Sequence, residues 1–171
     1  MVRFEGENMN KLVMFLFVVI SGFAGVASAQ VKDKAFYDWT VYTMTMDGKK
    51  ICYMASFPKS KSGNYKKRDE PYFMVTYLGN DVAEVSSSSG YKYKDGSKLS
   101  VELGTNKLSM FTSGELAWAK DRQADKEFIA HMKKQNDMRV KGTSTKDSYS
   151  IDKYSLKGFS AAYDRMKGLC K

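Results

Sequence analysis

Residues 38–56 read DWTVYTMTMDGKKICYMAS, and this stretch decides the fold class. Two runs rich in β-branched and aromatic residues, 38–46 and 50–56, flank Asp47-Gly48. Such side chains suit the pleated, half-buried surface of a strand. An Asp-Gly pair between them tolerates the left-handed backbone of a tight turn, so the segment reads as a β-hairpin.

The same pattern recurs outward along the chain. YFMVTYL (72–78) is a third strand, turned by Gly79-Asn80-Asp81; 82–87 continue the sheet, and Ser86 to Ser89 loosen into a loop. Asp95-Gly96 precedes KLSVEL (98–103), Thr105-Asn106 leads into KLSMFT (107–112), and Ser113-Gly114 into ELAWA (115–119). Two further strands are expected at 137–143 and 148–154. About eight short strands separated by turn signals make an all-β chain, an antiparallel β-sandwich. Trp39 and Trp118 are expected as its core anchors, because aromatic side chains dominate buried area in small domains.

Two segments carry helical periodicity instead. In ADKEFIAHMKKQ (124–135), Phe128, Ile129 and Met132 form a narrow apolar stripe, with acids near the start and lysines near the end to suit the helix dipole. At the C-terminus, YSLKGFSAAYDRMKGLCK (154–171) places Leu156, Phe159, Ala162, Tyr163, Met166, Leu169 and Cys170 within an arc of about 140° at the helical advance. Ser155 is positioned to cap this helix. Gly158 inside it costs about 1 kcal/mol relative to Ala, which suggests close approach to a neighbouring strand. The helix is expected to pack on the sheet.

The N-terminus bears on compartment. LVMFLFVVISGFAGVA (12–27) is an uncharged apolar run preceded by Lys11 and followed by small residues spaced A-x-A. It is too short and too soft for a spanning helix, which needs about 20 apolar residues, and it ends like a cleavage site. Residues 1–29 therefore read as a signal peptide and 30–171 as one exported domain, in the periplasm, on the outer surface or secreted. Cys52 and Cys170 are the only cysteines. In an oxidising compartment a single Cys52–Cys170 disulfide is the economical reading, and it would hold the C-terminal helix to the first hairpin.

Few chemistries fit the remaining residues. The net charge of +9 is kept when the leader leaves, since Arg3 and Lys11 go with Glu5 and Glu7. After export the anionic partners available to such a chain are envelope or host-surface components, or another protein, rather than nucleic acid. His131 is the only histidine and falls among polar residues of its helix, a poor general base. No paired-carboxylate, metal-ligand or cofactor pattern stands out, so no catalytic, metal or cofactor-binding residue is assigned. No small-molecule substrate is evident, and the chain is expected to be a non-catalytic monomer.

The C-terminal YSLKGFSAAYDRMKGLC resembles the SL-x-GF-x-A signature of the invasion-associated locus B family, exported proteins of alphaproteobacteria. Asp38-Trp39-Thr40-Val41, Cys52-Tyr53-Met54-Ala55-Ser56, Gly114-Glu115-Leu116-Ala117-Trp118 and the K-G-T-S run from Lys141 fit in the same order. Members often carry a further cysteine shortly after the opening Trp-x-Val, where this chain has Tyr42; a second, local disulfide is absent. The resemblance implies an envelope or surface β-domain associated with host-cell invasion, with no catalytic activity. A periplasmic assembly or stress protein without host contact is the alternative, and an envelope-glycan enzyme a more remote one.

The resemblance supplies no binding residues, so these are sought in FPKSKSGNYKKRDEP (57–71), bracketed by the only two prolines. Lys59, Lys61, Tyr65, Lys66, Lys67 and Arg68 are read as an exposed basic loop offering charge and one ring to an anionic surface. The competing reading is a solvated connection whose lysines discourage edge-to-edge sheet pairing. Elsewhere, Tyr91-Lys92-Tyr93-Lys94 alternates ring and cation as a half-buried strand would.

Overall fold

The computed structural model describes residues 30–171; the expected leader at 1–29 lies outside them. Val31–Phe36 (β1), Trp39–Met46 (β2) and Lys49–Ser56 (β3) run as antiparallel neighbours. The β2–β3 hairpin turns through Asp47 and Gly48, both at positive φ, as its sequence requires. Ser60–Gly63 (β4), Tyr72–Gly79 (β5), Val82–Ser88 (β6), Lys98–Leu103 (β7), Asn106–Ser113 (β8) and Leu116–Trp118 (β9) follow. Arg122–Met132 (α1), Asp137–Thr143 (β10), Tyr149–Ser155 (β11) and Phe159–Leu169 (α2) complete the chain.

All eleven strands join one antiparallel sheet in the order β1-β2-β3-β5-β6-β9-β8-β7-β10-β11-β4. The sheet folds over on itself, because strands distant in that order meet face to face. The Trp39 indole N–H on β2 donates to the Ser155 carbonyl on β11 at 3.0 Å. The rings of Phe73 on β5 and Tyr154 on β11 meet edge-on at 5.9 Å. The core fills the space between the layers with Val41, Met54, Phe73, Val75, Leu99, Val101, Met110 and Val140. Burying each such side chain contributes about 1.5–3 kcal/mol.

The antiparallel β-sandwich with two helices is thus observed, with eleven strands in place of about eight. Nine of the eleven fall on the segments named from sequence; the two outside them are β1 and β4, the sheet edges, both exposed along almost their whole length. Ser86, Ser87 and Ser88 also lie within β6, and with Ser89 they are buried rather than looped. Partners replace water for several of these hydroxyls: Ser87 donates to the Tyr72 carbonyl at 2.8 Å, and Ser89 accepts from the Tyr93 hydroxyl at 2.9 Å.

Helix α1 starts at Arg122, capped by Asp121, which accepts the Ala124 N–H at 2.8 Å. Asp125 in its first turn accepts the Val85 N–H at 2.8 Å, continuing β6 hydrogen bonding beyond the short β9 pairing. Helix α2 packs on the sheet as expected, against β1, β2, β3 and β5, with Phe159 edge-on to Trp39 at 5.0 Å. Its start is later than expected. Ser155 ends β11 instead of capping, and Gly158 precedes the helix with φ +91. A Cβ on Gly158 would lie 1.9 Å from the Phe36 carbonyl oxygen, so the inferred close approach to a strand is with β1. Cys170 just past α2 is bonded to Cys52 on β3, 118 residues away, with Cα atoms 6.0 Å apart.

Trp118 departs from its expected role. Cross-strand neighbours share a face, and the register Thr40–Ala55–Met74–Ser86–Trp118–Phe111 puts Trp118 on the outer one. There it is half-buried and stacks on Phe111 at 5.5 Å. Trp39 is wholly buried.

Candidate functional site: a basic cleft

The basic loop is organised by Arg68, which was expected among its exposed cations. After β4, Asn64 brackets Tyr149, donating its N–H to the Tyr149 carbonyl at 3.2 Å and accepting the Tyr149 N–H at 2.7 Å. Arg68 then turns inward, leaving 3% of its side chain exposed. Its Nη1 donates to Asp152 Oδ2 at 2.7 Å and to the Ser89 carbonyl at 2.9 Å; its Nη2 donates to Asp152 Oδ1. Burial opposes the guanidinium charge, but the hydrogen bonds and charge of Asp152 outweigh it and raise the Arg68 pKa above its ordinary value. The guanidinium also covers the Tyr65 ring at 4.3 Å and donates to its hydroxyl at 3.2 Å.

A second segment meets this loop at the backbone. The Asp69 N–H donates to the Gly90 carbonyl at 2.9 Å. Gly90 sits at φ +75, and a Cβ there would lie 2.0 Å from the Asp69 carbonyl oxygen, so only glycine permits the approach. Tyr91 follows, its hydroxyl paired with Ser150 Oγ at 2.8 Å and its ring edge-on to Tyr93 at 5.5 Å. Burial pushes the Tyr91 phenol pKa up, partly offset by its hydrogen bonds to Ser150 and Ser89. The turn between β10 and β11 closes the third side: Thr145 N–H donates to the Lys92 carbonyl at 3.0 Å, and Ser144 and Ser148 hydroxyls pair at 2.7 Å.

These three segments enclose a cleft of about 550 Å³ lined by Asn64, Tyr65, Lys66, Lys67, Tyr91, Lys92, Ser144, Thr145, Lys146 and Ser148. Among the described residues none of its four lysines has a carboxylate partner, and no carboxylate or imidazole lines the cleft. Four ammonium groups around one concavity sum their fields over a low-dielectric floor, which favours an anion.

The expected site residues therefore divide. Tyr65, Lys66 and Lys67 come together at the cleft; Arg68 is a buried anchor beneath it. Lys59 and Lys61 point elsewhere, to Asp38 at 2.7 Å and Glu70 at 2.8 Å. Sequence reading missed Tyr91, Lys92, Ser144, Thr145, Lys146 and Ser148. The ring–cation alternation at 91–94 and the Ser/Thr/Lys-rich turn at 143–148 were the available signals, but nothing local says that they face Tyr65. His131 is half-buried, 4.0 Å from Glu127 on its own helix.

Among the described residues no helix is long and apolar enough to cross a membrane. The crystal structure of invasion associated protein B from Bartonella henselae superposes with a TM-score of 0.58 at 16% identity, covering 81% of this chain and 96% of that one. This likeness is of fold. No curated protein matches the sequence. The family model described as invasion associated locus B (IalB) protein matches residues 39–167, from the buried Trp39 past the SLKGF run and into α2. This match spans well over half of the chain, which belongs to the invasion associated locus B family.

Proposed function

We propose that this chain is an exported, non-catalytic protein of the cell envelope or surface that acts by binding. Its basic cleft engages an anionic component of the envelope or of a host surface. The observation carrying this reading is four lysines without a carboxylate partner among the described residues, around one cleft whose lining holds no acid. The family's description as invasion associated supports a role at such a surface. The apolar run before residue 30 and the Cys52–Cys170 bond fit passage to an oxidising compartment.

Binding of the chain from residue 30 to surfaces bearing anionic groups at low salt tests the reading. Replacing Lys66, Lys67, Lys92 and Lys146 by Gln should weaken it about tenfold or more, whereas Gln at Lys59 and Lys61 should change it little, because exposed paired lysines contribute weakly. Equal loss from both sets would show a general charge effect and remove the cleft from the argument. Cell fractionation locates the protein, and confinement to the periplasm would exclude direct host contact.

A further inference from the structure

We infer that the ligand of this cleft is an acidic saccharide, a short run of sugar rings bearing carboxylate, sulfate or phosphate groups. The inference rests on the anion-binding reading and narrows it by the way the cleft distributes its chemistry. The four lysines are all exposed and stand at the rim. The floor is neutral: Tyr65 and Tyr91 are half-buried, Ser144 is buried and Ser148 half-buried, while the neutral Asn64 and Thr145 are exposed beside the lysines.

A bare phosphate or a flat lipid headgroup layer would meet the rim and leave that floor unused. A sugar ring uses both. Its C–H faces lie against aromatic carbon, its hydroxyls exchange hydrogen bonds with Ser, Thr and Asn, and its acidic substituents reach outward to flexible ammonium groups. Lysines, as mobile point charges, tolerate variable positions of those substituents better than a fixed guanidinium fork does. The one arginine of the loop is instead committed to Asp152 underneath.

The floor is also held still before any ligand arrives. Tyr65 is clamped by Arg68 through its ring and hydroxyl, Tyr91 by Ser150, and Ser144 by Ser148. A rigid floor avoids the ordering cost that usually weakens carbohydrate contacts. At about 550 Å³ the cleft falls within the range of small-molecule sites and exceeds what one inorganic anion fills.

Calorimetric titration of the chain from residue 30 tests this with four probes: a uronic-acid tetrasaccharide, a matched neutral tetrasaccharide, inorganic tripolyphosphate, and phosphatidylglycerol vesicles. The acidic saccharide should bind about tenfold or more tightly than the neutral one, since each lost charge-assisted contact is worth about a factor of ten. Tyr91→Leu and Thr145→Val should weaken the acidic saccharide several-fold and leave tripolyphosphate unchanged. Thr145 is exposed, so its variant reads the neutral hydrogen-bonding part of the lining without threatening the fold. If tripolyphosphate or vesicles bind as tightly as the saccharide and both variants are silent, the saccharide assignment fails while anion binding stands. If no anionic probe binds at low salt, both fail.

Discussion

Arg68 and Asp152, 84 residues apart in sequence, form a two-pronged ion pair with 3% and 1% of their side chains exposed. The pair fastens the basic loop to β11, directly beneath the cleft. Removing one partner leaves the other charged, buried and alone, which costs about 3–5 kcal/mol. Arg68→Met and Asp152→Leu should therefore each lower the urea midpoint sharply, while the double variant recovers much of the loss. Arg68→Met should also weaken binding at the cleft, since Tyr65 loses its clamp. Additive losses in the double variant would show that the pair is not coupled.

The Cys52–Cys170 bond acts on the far end of the molecule. It closes a loop of 118 residues and holds α2 over the end of the core. Other ties support it: Lys50 Nζ donates to the Leu169 carbonyl at 3.0 Å, Arg165 grips Asp33 through two bonds of 2.8 Å, and Lys167 pairs with Asp81 at 2.7 Å. These other ties are exposed and each contributes little. Replacing both cysteines by Ala should cost about 3–5 kcal/mol, mostly through the freed unfolded chain. Reductant should shift the unfolding midpoint of the parent and leave the variant unchanged; an equal response in both would contradict the assignment.

Asp125 makes stability depend on pH. Burial pushes its carboxyl pKa up; the Val85 N–H bond opposes this, and the charges of Glu84 and Asp121 reinforce it. A carboxyl whose folded pKa is raised binds its proton more tightly in the folded state. Its contribution is therefore present below the ordinary carboxylate value and is lost as pH rises through the folded pKa. Asn keeps an acceptor for Val85 without a charge to desolvate. Asp125→Asn should raise the melting temperature at neutral pH, with the gain shrinking below pH ~4. A gain independent of pH would point away from the carboxylate charge.

Which parts of this were legible follows from where the signal sits. The β2–β3 hairpin, β7 and β10 appear where alternation and turn residues place them, because one face of each is core and the other is not. The edges β1 and β4 were invisible, since an exposed strand needs backbone bonds but no apolar pattern. The apolar arc of α2 was legible, yet its first turn was misplaced: Leu156 is buried without being helical, and Gly158 bends the chain against Phe36 first. In β11 hydropathy points the wrong way. Ser150, Asp152 and Tyr154 face inward while Ile151 faces out, so the partner of Arg68 could not be read from its strand. Six of the ten residues lining the cleft were missed because it is made by three segments that only the folded sheet brings together.

The two tryptophans give a direct optical test of which face is core. Trp39 is wholly buried, donates to the Ser155 carbonyl at 3.0 Å and meets Phe159 edge-on. Trp118 stacks on Phe111 on the outer face. Trp39→Phe removes volume and leaves a carbonyl without its donor, and should cost about 2–4 kcal/mol. Trp118→Phe should cost less than about 1 kcal/mol, as a half-exposed substitution that keeps an aromatic ring. The Trp118→Phe protein, reporting Trp39 alone, should emit at shorter wavelength and resist acrylamide quenching. The Trp39→Phe protein should emit further to the red and be readily quenched. Equal quenching of the two residues would mean that the sheet does not present the faces described, and the register from Thr40 to Phe111 would have to be redrawn.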